Sequence, residues 1–192
     1  MISCRVDFNH LYDEGRVARL DVGGVGSFPV FSGLGDLANK PESSYMTNAT
    51  VPPGSYWIVD RPEGGFYSHT QTWFKHAYTG NNYYDWFALF RKDGIIDDYM
   101  NFDVDARHHY QRGHFRLHPP RPDGSGISEG CITFFLSRDF YVVRSALLKA
   151  HRHRVLQGDK LWVYGEVTVI GDKSGSCLLY TSDAADEGLG VD

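Results

Sequence analysis

Turn signals interrupt this chain so often that few segments have room for a long element. Tyr12-Asp13-Glu14-Gly15, Gly23-Gly24-Val25-Gly26, Pro52-Pro53-Gly54, Arg61-Pro62-Glu63-Gly64-Gly65, Gly80-Asn81-Asn82, Arg91-Lys92-Asp93-Gly94 and Pro119-Pro120 all fall between apolar stretches. Those stretches are short and alternate or run apolar throughout, the pattern of β-strands. Ile2 to Leu11 and Arg16 to Val22 read as a hairpin, followed by strands at Ser27 to Ser32 and Ser55 to Asp60 around a loop-like stretch from Gly33 to Pro53. Tyr83 to Phe90 and Ile95 to Phe102 read as a second hairpin about Asp93-Gly94. Asp103 to Gln111 is polar and reads as loop. His114 to His118 alternates, with His114, Arg116 and His118 on one face. Cys131 to Leu136 and, after the Gly158-Asp159 turn, Leu161 to Ile170 are the last strands.

One segment escapes the interruptions. Ser137 suits an N-cap, Asp139 the first turn, and Phe140, Val143, Leu147 and Ala150 recur on one helical face. A helix is expected over about 138–153, with Arg152-His153-Arg154 complementing the dipole at its C-terminal end. Trp73, Phe74, Ala77 and Tyr78 suggest a shorter second helix within 68–79. The expected fold class is mainly β, a sandwich or barrel-like catalytic domain with one clear helix.

The 192 residues fit a single domain over 1–171, followed by a disordered tail over 172–192. Cys177 to Glu187 reads as the in-frame translation of a transposon-end sequencing adapter, so residues from about 175 are set apart from fold reasoning. Cys4, Cys131 and Cys177 make an odd set, a poor disulfide framework. A net charge of -5, with no strongly basic stretch beyond 151–154, argues against nucleic acid as a partner. No apolar run approaches about 20 residues, so no membrane-inserted helix is expected. Met1 to Gly15 carries Arg5, Asp7, Asp13 and Glu14 and lacks the apolar core of a secretory signal.

Chemistry concentrates between Arg116 and Ile132. His118 ends one strand, Cys131 opens the next, and a Pro- and Gly-rich loop separates them. A nucleophilic cysteine needs its thiolate, and a thiol of pKa about 8.5 is mostly protonated at neutral pH. An imidazole on the neighbouring strand can take that proton and return it to a leaving group. Gly130 permits a tight turn that leaves peptide N–H groups facing the sulfur, where they can stabilise an oxyanion. Arg116, two residues before His118, offers a bidentate fork for a carboxylate. Taken singly, a cysteine opening an apolar run is more often a buried small residue, and a histidine beside a turn more often structural. Arg116-Leu117-His118-Pro119 followed by Ser128-Glu129-Gly130-Cys131 is the specific feature.

That pair, with Pro52 to Pro62, Trp86-Phe87-Ala88-Leu89-Phe90 and Asp93 to Tyr99, resembles the type VI secretion L,D-transpeptidase effectors, distant relatives of the YkuD-type L,D-transpeptidases. The resemblance spans roughly residues 1–155. It implies Cys131 as nucleophile, His118 as its base, and Gly130 and Cys131 as oxyanion donors. The implied substrate is the tetrapeptide stem of peptidoglycan, cut between diaminopimelate and the terminal D-Ala, with hydrolysis or exchange for another D-amino acid. Arg116, Ser128 and Glu129 are candidates to bind or orient substrate. Trp86 and Tyr99 are candidates to line the cleft, core packing being the alternative for both. No cofactor and no metal are implied. The expected partners are a periplasmic immunity protein and a component of the secretion apparatus. The chain would be made in the cytoplasm without a signal peptide and act in the periplasm of a target bacterium. Two features depart from the relatives: Glu129 stands where YkuD-type enzymes carry histidine, and the His118–Cys131 loop is about three residues longer, within Pro120 to Gly126.

Other readings stay open. Papain-like and NlpC/P60-type hydrolases place cysteine before histidine, the reverse of the order here. Sortases share the order, but Leu161 to Ile170 lacks their later arginine. A metal site built from His114, His118, Cys131 and the His108-His109 pair has ligand-like spacing on a strand face. A non-catalytic, peptidoglycan-binding β-sandwich with an aromatic surface is the alternative outside enzymology.

Overall fold

The computed structural model describes residues 1–60, 85–105, 108–121, 128–154 and 161–172. The second helix expected within 68–79, the loop over 122–126, the Gly158-Asp159 turn and the tail from 173, with Cys177, lie outside the described residues.

Among the described residues, eight strands close into a barrel beside one α-helix. The first hairpin forms as its alternation suggests: β1 (Ile2–Asp7) pairs antiparallel with β2 (Ala18–Val22), with Cys4 opposite Val22 and Val6 opposite Leu20, all buried. β3 (Gly26–Phe31) continues the meander. It then pairs with β9 (Ile132–Phe134), which lies parallel to β8 (Arg116–His118). β8 meets β5 (Phe87–Arg91), β5 meets β4 (Gly54–Asp60), and β4 meets β11 (Trp162–Ile170), each antiparallel. Parallel pairing of β11 with β1, from Gly165 opposite Ile2 to Ile170 opposite Asp7, closes the ring and leaves none of the eight as an open edge.

Side-chain alternation sorts the ring into an inside and an outside. Phe87, Leu89, Leu117, Ile132, Phe134, Tyr56 and Ile58 join the main core. Ala88 and Phe90 point the other way and pack with Val59 and Val163 in a second cluster, flanked by Trp57, Ile96 and Leu161. Burial on both faces explains the unbroken apolar run of β5 and its central position. The expected pairing of this segment with Ile95 to Phe102 is therefore corrected. β5 has β4 and β8 as neighbours, and β6 (Tyr99–Asp105) pairs with β7 (His108–Gly113) in a separate two-stranded sheet. The stretch read as loop over 103–111 is part of that hairpin. Its buried position on β7 is held by Arg112, opposite Met100, so the strand shows no apolar alternation in sequence.

The helix α1 (Ser137–Lys149) lays Phe140, Val143 and Leu147 on the barrel, Phe140 meeting Phe134 edge-on at 5.6 Å between centroids. Burial of each such side chain contributes about 1.5–3 kcal/mol. Ser137 is the first helical residue, not the cap; Leu136 precedes it and caps nothing with its side chain. The helix is also shorter than expected. It stops at Lys149, and His153–Arg154 forms the two-residue strand β10 against β11. Arg152 and Arg154 lie over the Trp162 ring, at 4.2 and 4.9 Å from its centroid, so a cation–π stack takes the place of the expected dipole contact. Leu147 also needs Gly165: a Cβ there would sit 2.9 Å from Leu147 Cδ2 and 2.6 Å from the Ile2 carbonyl. The bare backbone lets helix and β1 both close on β11.

Candidate active site

Parallel pairing of β8 and β9 brings together what the sequence separates by a loop. Leu117 faces Ile132 and His118 faces Thr133, so Cys131, one residue ahead of β9, lies at the level of Arg116. The thiol is half-buried, with Sγ 3.8 Å from the His114 carbonyl oxygen and the Arg116 backbone N–H directed at it. Ser128, buried, donates its hydroxyl to the Cys131 carbonyl at 2.8 Å and accepts the Gly33 N–H at 3.4 Å. It ties the turn to the loop after β3. Gly130 has φ 103°, a conformation that disfavours any side chain, and a Cβ there would run into Arg112 Nη2.

His118 is buried between two strands and one ring. Its Nδ1 lies 2.7 Å from the Pro119 carbonyl oxygen. A carbonyl only accepts, so the proton sits on Nδ1 and the Nε2 lone pair points toward β9. There it accepts from the Thr133 hydroxyl at 3.1 Å. Trp86 stacks on the imidazole at 4.1 Å with the planes 13° apart. Burial pulls the His118 pKa down to about 4, against the opposing pull of the Pro119 hydrogen bond and with the help of Arg121 and Arg116. Burial pushes the Cys131 thiol up to about 11, opposed by Arg116 and reinforced by Glu129 and Asp98. Both members therefore rest uncharged at neutral pH, and Nε2 is engaged by Thr133 rather than by the thiol.

The other sequence candidates separate. Arg116 forms a bidentate pair with Asp98, at 2.6 and 2.5 Å, and donates to the Phe115 carbonyl at 2.8 Å. Its fork is filled by the protein's own carboxylate. His114 leaves the face expected to hold it with Arg116 and His118, because its φ of 58° bends the chain before β8 begins. It is exposed, bonded to Asp98 at 3.1 Å, with the Tyr99 ring edge-on at 4.8 Å. Tyr99 and Glu129 stand at the exposed rim, whereas Trp86 is a buried platform for His118. Among the described residues, no three His, Cys, Asp or Glu side chains converge as a metal site.

Two residues at the site were given no role from the sequence. Thr133 meets His118 only because the strands pair in this register. Arg112, buried, donates to the carbonyls of Ser44, Thr50 (2.8 Å) and Ala49 (2.9 Å) and lies over the Phe115 ring at 5.0 Å. Its acceptors are backbone groups of a distant loop, which leave no mark in a sequence.

A family model, the Tlde1 domain, matches residues 26–158, more than half of the chain. The chain belongs to the Tlde1-domain family. This is the type VI secretion L,D-transpeptidase effector family that the motifs resembled. The matched stretch runs from β3 past α1 and takes in Trp86, Arg112, His118, Cys131 and Thr133; β1, β2 and β11, which complete the barrel, flank it. No curated protein and no solved structure matches the chain.

Proposed function

We propose that this Tlde1-domain protein is an antibacterial effector that modifies peptidoglycan as a cysteine L,D-carboxypeptidase and L,D-transpeptidase. The observation that carries the reading is the tautomer of His118. With Nδ1–H committed to Pro119, the basic lone pair is on Nε2, directed toward the strand that Cys131 opens, where the Thr133 hydroxyl donates to it. In the proposed reaction Nε2 takes the thiol proton as Sγ attacks the carbonyl of diaminopimelate in a tetrapeptide stem. The tetrahedral oxyanion is held by the N–H groups of Gly130 and Cys131. Collapse breaks the peptide bond, the imidazolium gives its proton to the departing D-Ala amine, and a thioester remains on Cys131. Water then releases a tripeptide, or the amine of a D-amino acid releases an exchanged tetrapeptide. Substrate must displace the Thr133 bond to Nε2 and exclude water, since the resting pair is uncharged. Type VI delivery into a target periplasm, and a periplasmic immunity protein in the producer, complete the proposal.

The test is to incubate the protein with purified tetrapeptide muropeptides, with and without a free D-amino acid, and to weigh the products. Loss of one D-Ala, and incorporation of the added amino acid, are the expected outcomes. An unchanged muropeptide pool from a folded protein rules out this substrate and favours the binding-module reading.

A further inference from the structure

Each member of the resting pair is bonded to something other than its partner. The Thr133 hydroxyl donates to His118 Nε2 at 3.1 Å, and the Cys131 thiol donates to the His114 carbonyl at 3.8 Å. Among the described residues, no hydrogen bond joins Nε2 to Sγ. A ring nitrogen of a neutral imidazole offers one lone pair, so the hydroxyl and the thiol proton compete for the same place.

The surroundings hold the hydroxyl there. Thr133 sits between two strands, opposite Phe31 of β3 and His118 of β8, and is 1% exposed. Water does not reach a hydroxyl so buried, and branching at Cβ restricts rotation about χ1. The ring is equally fixed. Its Nδ1–H is on the Pro119 carbonyl at 2.7 Å, and Trp86 stacks on its face at 4.1 Å. The acceptor of the thiol is fixed as well. His114 turns at φ 58°, and Asp98 ties it down twice, accepting the His114 N–H on its carbonyl at 2.9 Å and the ring on its carboxylate at 3.1 Å. Thr133 lies two residues after Cys131, so the competitor for the lone pair comes from the strand that the thiol opens.

We propose that Thr133 is a positioning residue that latches the empty site: its hydroxyl occupies His118 Nε2, and the thiol is activated only when that bond is given up. On release, the Sγ–H bond breaks and the N–H bond forms on Nε2, leaving a thiolate and an imidazolium. The Thr133 hydroxyl can then turn its proton away and accept the new Nε2–H, since a hydroxyl both donates and accepts. The proposal rests on the reading of Cys131 and His118 as nucleophile and base. Its test reads the thiol without muropeptide, so failure here stays separate from failure of the substrate assignment.

The experiment follows alkylation of Cys131 by iodoacetamide at one fixed pH, in the full chain, with the modified peptide quantified by mass spectrometry. Thr133→Val removes the hydroxyl and keeps the branched shape; Thr133→Ser keeps the hydroxyl. The Val variant is expected to react about fivefold faster than wild type, the worth of one ordinary hydrogen bond, and the Ser variant within about twofold of wild type. Placed on His118→Gln, Thr133→Val should give no acceleration. A purely structural role for Thr133 predicts no gain in reactivity. A folded Val variant that reacts no faster than wild type overturns the proposal. So does an equal gain in the Ser variant, or a gain that persists without His118, since either would mean a loosened strand rather than a released lone pair. Should the Val variant not fold, Thr133→Ala decides by the same criteria.

Discussion

At the scale of single residues, the candidate site holds His118 and Cys131 in their neutral forms. His118 falls from 6.5 to about 4 on folding because burial disfavours the imidazolium. The unfolded chain then binds more protons than the folded one between those values. Stability from this group is complete above the unfolded pKa and is lost as pH falls from about 6.5 toward 4, up to about 3 kcal/mol. Urea unfolding of wild type and His118→Gln between pH 4 and 7 should show a flatter profile for the variant; parallel profiles would remove the argument. Gly130→Ala adds a side chain at φ 103° against Arg112 Nη2 and the Ala49 carbonyl. Strain of that kind costs about 1–3 kcal/mol, read as a lower urea midpoint. The two short motifs that carry Cys131, Gly130 and His118 could be picked out in the sequence, and parallel pairing of β8 with β9 does bring them side by side. Arg116, in the same motif as His118, was misleading: its type suggests a ligand fork, and only the fold reveals that Asp98 fills it.

Among the elements, legibility followed burial. β5 and α1 carry apolar patterns that match their buried faces, so both were found in the sequence, α1 with its end too late. The β6–β7 hairpin was missed because the buried position of β7 is a cation, and the Asp93-Gly94 turn suggested a pairing that burial on both faces of β5 denies. The register of α1 gives a direct check. Leu147 is fully buried beside Gly165 and Leu148 is largely exposed. Leu147→Ala should cost about 2–5 kcal/mol, by cavity and transfer terms together. Leu148→Ala should stay within about 0.5 kcal/mol, as surface changes do. Similar losses in chemical denaturation would mean that the helix packs on another face.

For the whole molecule, the barrel depends on strands that lie at opposite ends of the chain. β11 pairs with β4, β1 and β10, and nothing in the alternation of Ile2 to Asp7 foretold its parallel partner 163 residues later in the Ile2–Gly165 register. A chain stopped before Leu161 keeps every residue assigned to the site and loses ring closure. It should lack a cooperative thermal transition; a retained one would show that the family-matched stretch folds without β11. The closed barrel holds β8 beside β9, and the proposed chemistry turns on two side chains there. The decisive measurement is the release of D-Ala from tetrapeptide muropeptide by wild type, Cys131→Ala and His118→Ala, each shown to be folded. Loss to background in the first variant, and by about 10²–10⁴-fold in the second, is predicted. Release that survives either substitution at the wild-type rate contradicts a thiol mechanism at this site.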